Sequence, residues 1–190
     1  HPVEGFVIEA DGPIMDRTLL CEYTGDVNFL ANVIDYVRSK HVQSTADEQR
    51  LQSSLRAVEK KSLPYVLCLT NMLLHGIEKP SWVRHDNTLS RPLRDYGPAD
   101  QVDVVITNPP FGGMEEDGIE TNFPATFRTR ETADLFLVLI LELLKDGGRA
   151  AVVLPDGSLF GEGVKTRIKE TLLTECNLHT IVRLPDSVFK

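Results

Sequence analysis

What most restricts the fold of this chain is that short apolar runs suited to strands alternate with segments of helical period along most of its length. From Asn28 to Lys40, Phe29, Val33, Ile34 and Val37 recur at helical spacing. A polar run follows in which Ser44 and Thr45 can cap a helix and Asp47 and Glu48 fall in its first turn, where carboxylates offset exposed N–H groups. RAVEKK is a strand candidate ending at Glu59, and LPYVLCLTNMLLHGI a helix stopped by Gly76, with apolar residues on so much of its surface that burial against a sheet is expected. After a loop WVRHDNTLSRPLRDYGPADQ come the strand VDVVIT, the helix RETADLFLVLILELLK, the strand RAAVVLP, the helix GVKTRIKETLLTEC and the strand LHTIVRLP. Parallel strands need crossover helices, so this alternation predicts an α/β domain with a doubly wound, mostly parallel, Rossmann-like sheet.

The bulk properties restrict function. A net charge of −8 argues against a chain that wraps nucleic acid unaided, since phosphate neutralisation is the main source of non-specific affinity. Three scattered cysteines, Cys21, Cys68 and Cys176, give neither a disulfide framework nor zinc-ligand spacing, and no metal site is expected. No apolar run reaches the ~18 residues of a membrane span, and the first residues lack the pattern of a signal peptide, so a soluble cytoplasmic protein without a membrane role is expected.

The strand VDVVIT runs directly into Asn108, Pro109, Pro110 and Phe111. Ligands in doubly wound sheets gather at the carboxyl ends of strands, and two successive prolines fix the backbone there. The Asn108 amide oxygen and the Pro109 carbonyl can each accept one hydrogen of an aromatic amine, turning its lone pair toward an electrophilic methyl, while Phe111 stacks on the ring. The competing reading is a proline-rich strand exit with Phe111 in the core.

With VEKKSLPYVLCLTNMLLHGI, RHDNTLSRPL, VDVVITNPPFGGMEEDGI, FRTRETADLFLVLILELLKDGGRAAVVLPDGSLFG and IVRLPDSVF beside this motif, the chain from about Asn28 to Phe189 resembles the modification subunit of type I restriction-modification systems. The resemblance implies a methyltransferase that uses S-adenosyl-L-methionine to methylate adenine N6 in double-stranded DNA, on a flipped base, in complex with specificity and restriction subunits. It also implies that residues 1–190 are a catalytic domain lacking an N-terminal helical domain and C-terminal segments. Glu59 is then expected at the cofactor ribose and Asp86 at its adenine, with Asn87 and Asn108 also binding the cofactor and Thr24 and Gly25 in the glycine-rich cofactor loop. Without the resemblance, Glu59 reads equally as one charge in the solvated run EKK, and Asp86-Asn87 as ordinary turn chemistry.

Departures from the family pattern keep other readings open. Across GPIMDRTLLCEYTGDVNFL, the residues Leu19, Leu20, Glu22, Tyr23, Asp26 and Val27 are bulky or acidic where a cofactor loop needs close backbone approach. Weak or absent cofactor binding is therefore expected, and a degenerate, non-catalytic assembly module is one alternative. A protein glutamine methyltransferase is another, because the motif can also hold a side-chain amide. Phe123 and Phe127 can clamp a flipped base with Arg128 and Arg130 on phosphate, or simply anchor a long loop. LPDGSLFGEG resembles a pocket-shaping region and also reads as a turn, while His75 reads as a core or capping histidine.

Overall fold

The computed structural model describes residues 5–7, 19–22 and 28–184. In chain order its elements are β1 (Gly5–Val7), β2 (Leu19–Glu22), α1 (Asn28–His41), α2 (Thr45–Ser54), β3 (Leu55–Glu59), α3 (Ser62–Leu74), β4 (Val83–His85), β5 (Val102–Thr107), α4 (Thr132–Leu143), β6 (Leu144–Val152), β7 (Leu154–Pro155), α5 (Asp156–Phe160), α6 (Val164–Glu175) and β8 (Val182–Arg183). Five strands form one parallel sheet in the order β4-β3-β2-β5-β6. From the central β2 the chain builds outward through β3 and β4, then returns to β5 and β6 on the other side. The order thus reverses between β2 and β5, the place where doubly wound sheets bind ligands.

The core is split into two clusters around the sheet. Leu55, Ala57 and Val104 pack with Leu30 and Ile34 of α1, Leu51 of α2, and Cys68 and Met72 of α3. Val102, Val105 and Val152 pack with α4 and with Ile168 of α6. α4 is buried nearly all round, from Leu135 at 0% exposure to Ile140 at 6%. A helix apolar on every side must be enclosed on every side, and burial of such side chains is worth about 1.5–3 kcal/mol each. Among the described residues, no helix is long and apolar enough to cross a membrane.

Several elements depart from the sequence expectation. Leu19, Leu20 and Glu22, expected in the cofactor loop, form β2, which pairs with both β3 and β5. The center of a parallel sheet needs no long apolar run when the strand is four residues and its partners lie far along the chain. Val83–His85, expected in a loop, extends the sheet as β4. LHTIVRLP contributes only Val182–Arg183, which joins β1 and β7 in a separate antiparallel sheet instead of extending the parallel one. Asp156–Phe160, expected as a turn, is a short helix. α3 forms as its period requires but buries only Cys68 and Met72, leaving Leu63, Val66, Leu67, Leu73 and Leu74 exposed. A helix lying on a sheet can turn one stripe toward it, and apolar residues around the rest of its circumference stay outside.

Candidate active site

The parallel register assembles the site. Val58 of β3, Glu22 of β2, Thr107 of β5 and Val152 of β6 form one row across the sheet. Glu59 and Asn108 each stand one residue beyond that row, two strand spacings or roughly 10 Å apart. Glu59 pairs with His85, so Asp86 is the first residue past the edge strand. Thr24 and Gly25, which follow β2 in the sequence, lie outside the described residues, as do Tyr23, Asp26 and Val27.

The Asn-Pro-Pro-Phe turn is held from both ends. The Thr107 carbonyl accepts the Val153 N–H at 3.0 Å, tying the end of β5 to that of β6. Pro109 is buried, and Asn108, Pro110 and Phe111 are half-buried, so the turn is neither core nor free surface. Gly112 follows at φ +63°, left-handed backbone that favours glycine. The Gly113 carbonyl then accepts the Thr132 N–H at 3.0 Å, and a Cβ on Gly113 would lie 3.0 Å from Thr132 Oγ1. The motif is thereby fastened to the N-terminus of α4.

Glu59 is 2% exposed. Its Oε1 accepts the Lys61 backbone N–H at 2.7 Å, while the buried Oε2 has no hydrogen-bond partner among the described residues. Burial pushes its carboxyl above the usual value, opposed by the Lys61 N–H and ammonium. A solvated member of a charged run has none of these properties. A buried carboxylate oxygen without a donor is a costly feature in a fold, and a ligand hydroxyl would satisfy it.

Asp86 is exposed, its backbone N–H donating to the Glu59 carbonyl at 3.1 Å and its Oδ1 accepting the Asn87 N–H at 2.8 Å. Asn87 is committed to the fold at both ends of its amide. Its Oδ1 accepts the Leu89 N–H at 3.0 Å and its Nδ2 donates to Glu115 Oε2 at 3.2 Å. Next to them, the His85 ring stacks on Tyr65 at 4.8 Å between centroids.

Sequence reasoning passed over Glu115, which is 7% exposed and contacts residues beside both expected cofactor acids. Its run MEED gives no signal of burial, since a charge cluster after a glycine pair looks like solvated loop. The two readings of the long loop are also resolved for one ring. Phe123 is 2% exposed within the α4 core and anchors the loop, with Phe127 packed against the same core. Arg128 Nε donates to the Phe123 carbonyl at 3.3 Å, and Arg130 binds the Glu115 carbonyl at 2.9 Å and Asp117 at 2.8 Å. His75 caps α3 and pairs with Asp35 at 3.1 Å.

A doubly wound parallel sheet with an Asn-Pro-Pro-aromatic turn at its switch point and an unsatisfied acid two strands away defines a Rossmann-like methyltransferase domain. The family model for N-6 DNA Methylase matches residues 14–190, and the chain belongs to that family. It is 58% identical to the type I restriction enzyme EcoEI methylase subunit of Escherichia coli over 187 residues, 98% of this chain and 38% of that subunit. A crystal structure of a modification subunit of a putative type I restriction enzyme from Vibrio vulnificus YJ016 superposes with a TM-score of 0.74 at 43% identity, covering 84% of this chain and 35% of that one. The EcoKI M protein superposes with a TM-score of 0.74 at 30% identity, covering 90% of this chain and 36% of that one. The chain thus spans well under half the length of the relatives it matches.

Proposed function

We propose that this domain, working within a longer modification subunit, methylates adenine N6 in DNA with S-adenosyl-L-methionine as donor. The observation that carries this reading is the sheet register, which sets the Asn108–Phe111 turn and the buried Glu59 carboxylate in one row at the topological switch point. The lone Glu59 Oε2 fits the hydroxyls of the cofactor ribose. Asp86, exposed at the neighbouring strand end, would face the cofactor adenine, with the Asn87 backbone beside it because the Asn87 amide is already engaged. Thr24 and Gly25 would approach the cofactor's amino-acid end. When bound, the cofactor supplies an electrophilic methyl on a sulfonium.

This chain's residues act on the target. The exocyclic nitrogen of adenine is a poor nucleophile because its lone pair is delocalised into the ring. Asn108 Oδ1 and the Pro109 carbonyl accept its two hydrogens and favour the pyramidal geometry in which the lone pair becomes available; they gain strength as positive charge develops. With the lone pair so aimed, the nitrogen would take up the methyl that the bound cofactor supplies, and one N6 proton would leave to solvent. Phe111 stacks on the extruded base, worth ~1–3 kcal/mol against the few kcal/mol spent on unstacking it.

A domain of net charge −8 needs help to hold a polyanion. A specificity subunit would supply the DNA grip, a restriction subunit would join the same assembly, and this role puts the protein in the cytoplasm. The names of the relatives, all type I methylase subunits at 30% identity or more over most of this chain, support that assembly over a protein glutamine methyltransferase. The non-catalytic alternative rested on crowding by six residues, of which Leu19, Leu20 and Glu22 belong to β2 instead of the loop, while Tyr23, Asp26 and Val27 lie outside the described residues.

Calorimetric titration of the full chain with S-adenosylmethionine, followed by transfer of labelled methyl to an adenine-containing duplex in the presence of a specificity subunit, tests the reading. Binding with N6-methyladenine as product is expected. Absence of binding, or methylation at another atom, overturns it.

A further inference from the structure

Glu115 engages every polar atom it has. Its backbone N–H donates to the Arg130 carbonyl at 2.9 Å, and its carbonyl accepts from Arg130 Nη2 at 2.9 Å. With the bridge between Met114 and Glu131, these bonds close the base of the loop that follows the Asn-Pro-Pro-Phe turn. The side chain reaches across the sheet end instead. Oε2 accepts from Lys60 Nζ at 3.2 Å and from Asn87 Nδ2 at 3.2 Å, and Oε1 accepts from Thr132 Oγ1 at 3.1 Å.

These partners are informative by position. Lys60 directly follows Glu59, Asn87 directly follows Asp86, and Thr132 opens α4 while holding the glycine turn after the motif. One buried carboxylate therefore joins the ends of β3 and β4 to the loop leaving β5. We infer that Glu115 is a positioning residue, one that holds the two cofactor-side strand ends in register with the target-side turn. It touches neither substrate nor cofactor in this role. The inference rests on the cofactor assignment of Glu59 and Asp86 in the proposed function.

The alternative is a merely structural acid that closes a surface loop. The geometry favours positioning because the closing bonds are made by the backbone of residue 115 and do not depend on its side chain, whereas the carboxylate gives Oε2 to the strand ends and Oε1 to Thr132. Without it, Lys60 keeps, among the described residues, only Glu116, a 77% exposed partner at 3.2 Å, and the Asn87 Nδ2 loses its acceptor. Buried polar networks of this kind are costly when half-satisfied, so the strand ends shift to find other partners.

The test is S-adenosylmethionine affinity and saturating turnover of Glu115→Ala, Glu115→Gln and Thr132→Val in the full chain, with the melting temperature of each. Glu115→Ala is expected to raise the cofactor Kd about tenfold and to change kcat at saturating cofactor less than threefold, and Glu115→Gln, which keeps one acceptor oxygen, to recover most of the affinity. Thr132→Val, which removes the bond remote from the cofactor residues, is expected to leave Kd unchanged. If Glu115→Ala does not fold, the isosteric Glu115→Gln decides by a Kd raised about threefold. A parent that binds cofactor beside Glu115 variants of unchanged Kd overturns the inference alone, as does a Thr132→Val variant that weakens binding as much as Glu115→Ala. A parent that binds no cofactor overturns the proposed function beneath it.

Discussion

Glu59 and Asn108 occupy the same row of the parallel sheet, each one residue past the line Val58–Glu22–Thr107, on either side of the central strand. The first is acidic, buried and short of a donor; the second carries an amide at the mouth of a proline-fixed turn. On the proposed function, the register thus sets the cofactor-side acid and the target-side amide two strands apart. Asn108→Ala should accordingly lower the rate of methyl transfer by about 10²–10³-fold, the usual loss for one preorganised electrostatic partner, while cofactor affinity stays within about twofold. Single-turnover kinetics beside cofactor titration will separate the two, and equal methylation by the variant would remove Asn108 from the mechanism.

Glu59→Gln should weaken cofactor binding by about 1–3 kcal/mol, the range for hydrogen bonds to a charged group, and yet stabilise the cofactor-free chain. Burial raises the Glu59 carboxyl above its unfolded value of about 4.3. The folded state therefore holds this proton more tightly, and the associated stability is complete below about pH 4.3 and is lost as pH rises through the raised folded value. Urea unfolding from pH 4 to 8 should show that decline in the parent and a shallower one in Glu59→Gln.

Lys165 Nζ lies 2.6 Å from Asp134 Oδ2, with Asp134 2% exposed. Burial raises the Asp134 carboxyl and Lys165 opposes the shift. Lys165→Met should cost about 3–5 kcal/mol at neutral pH, because it leaves a buried charge unpaired. Since protonation of Asp134 then relieves the cost, the deficit should shrink as pH falls toward 5. A deficit independent of pH would assign the loss to packing alone.

Phe123→Ala should cost about 3–5 kcal/mol through the cavity left in the α4 core. The same change releases the loop from its anchor, so tryptic cleavage at Arg128 and Arg130 should accelerate beyond what the loss of global stability explains. Phe127→Ala, at a half-buried position, should do less on both measures.

Residues 102–111 carried their own meaning in the sequence: an apolar run must enter a sheet, and two prolines must end it and fix the groups that follow. The helices were legible for the same local reason, as with Ser44, whose Oγ accepts the Asp47 N–H at 3.2 Å as its sequence position implies. Tertiary structure alone decided the rest. Leu19–Glu22 reads as a crowded loop until partners such as Val58 and Thr107 draw it into the middle of the sheet. α3 declares its helical period but not which stripe meets the sheet, and so Leu67 lies outside while Cys68 lies within. Glu115 looks like one charge among several until Lys60, 55 residues away, and Asn87, 28 away, converge on it. Backbone propensity acts over a few neighbouring residues, but burial and pairing are set by segments distant in the chain, and it is these that gathered Lys60, Asn87 and Thr132 onto one buried acid.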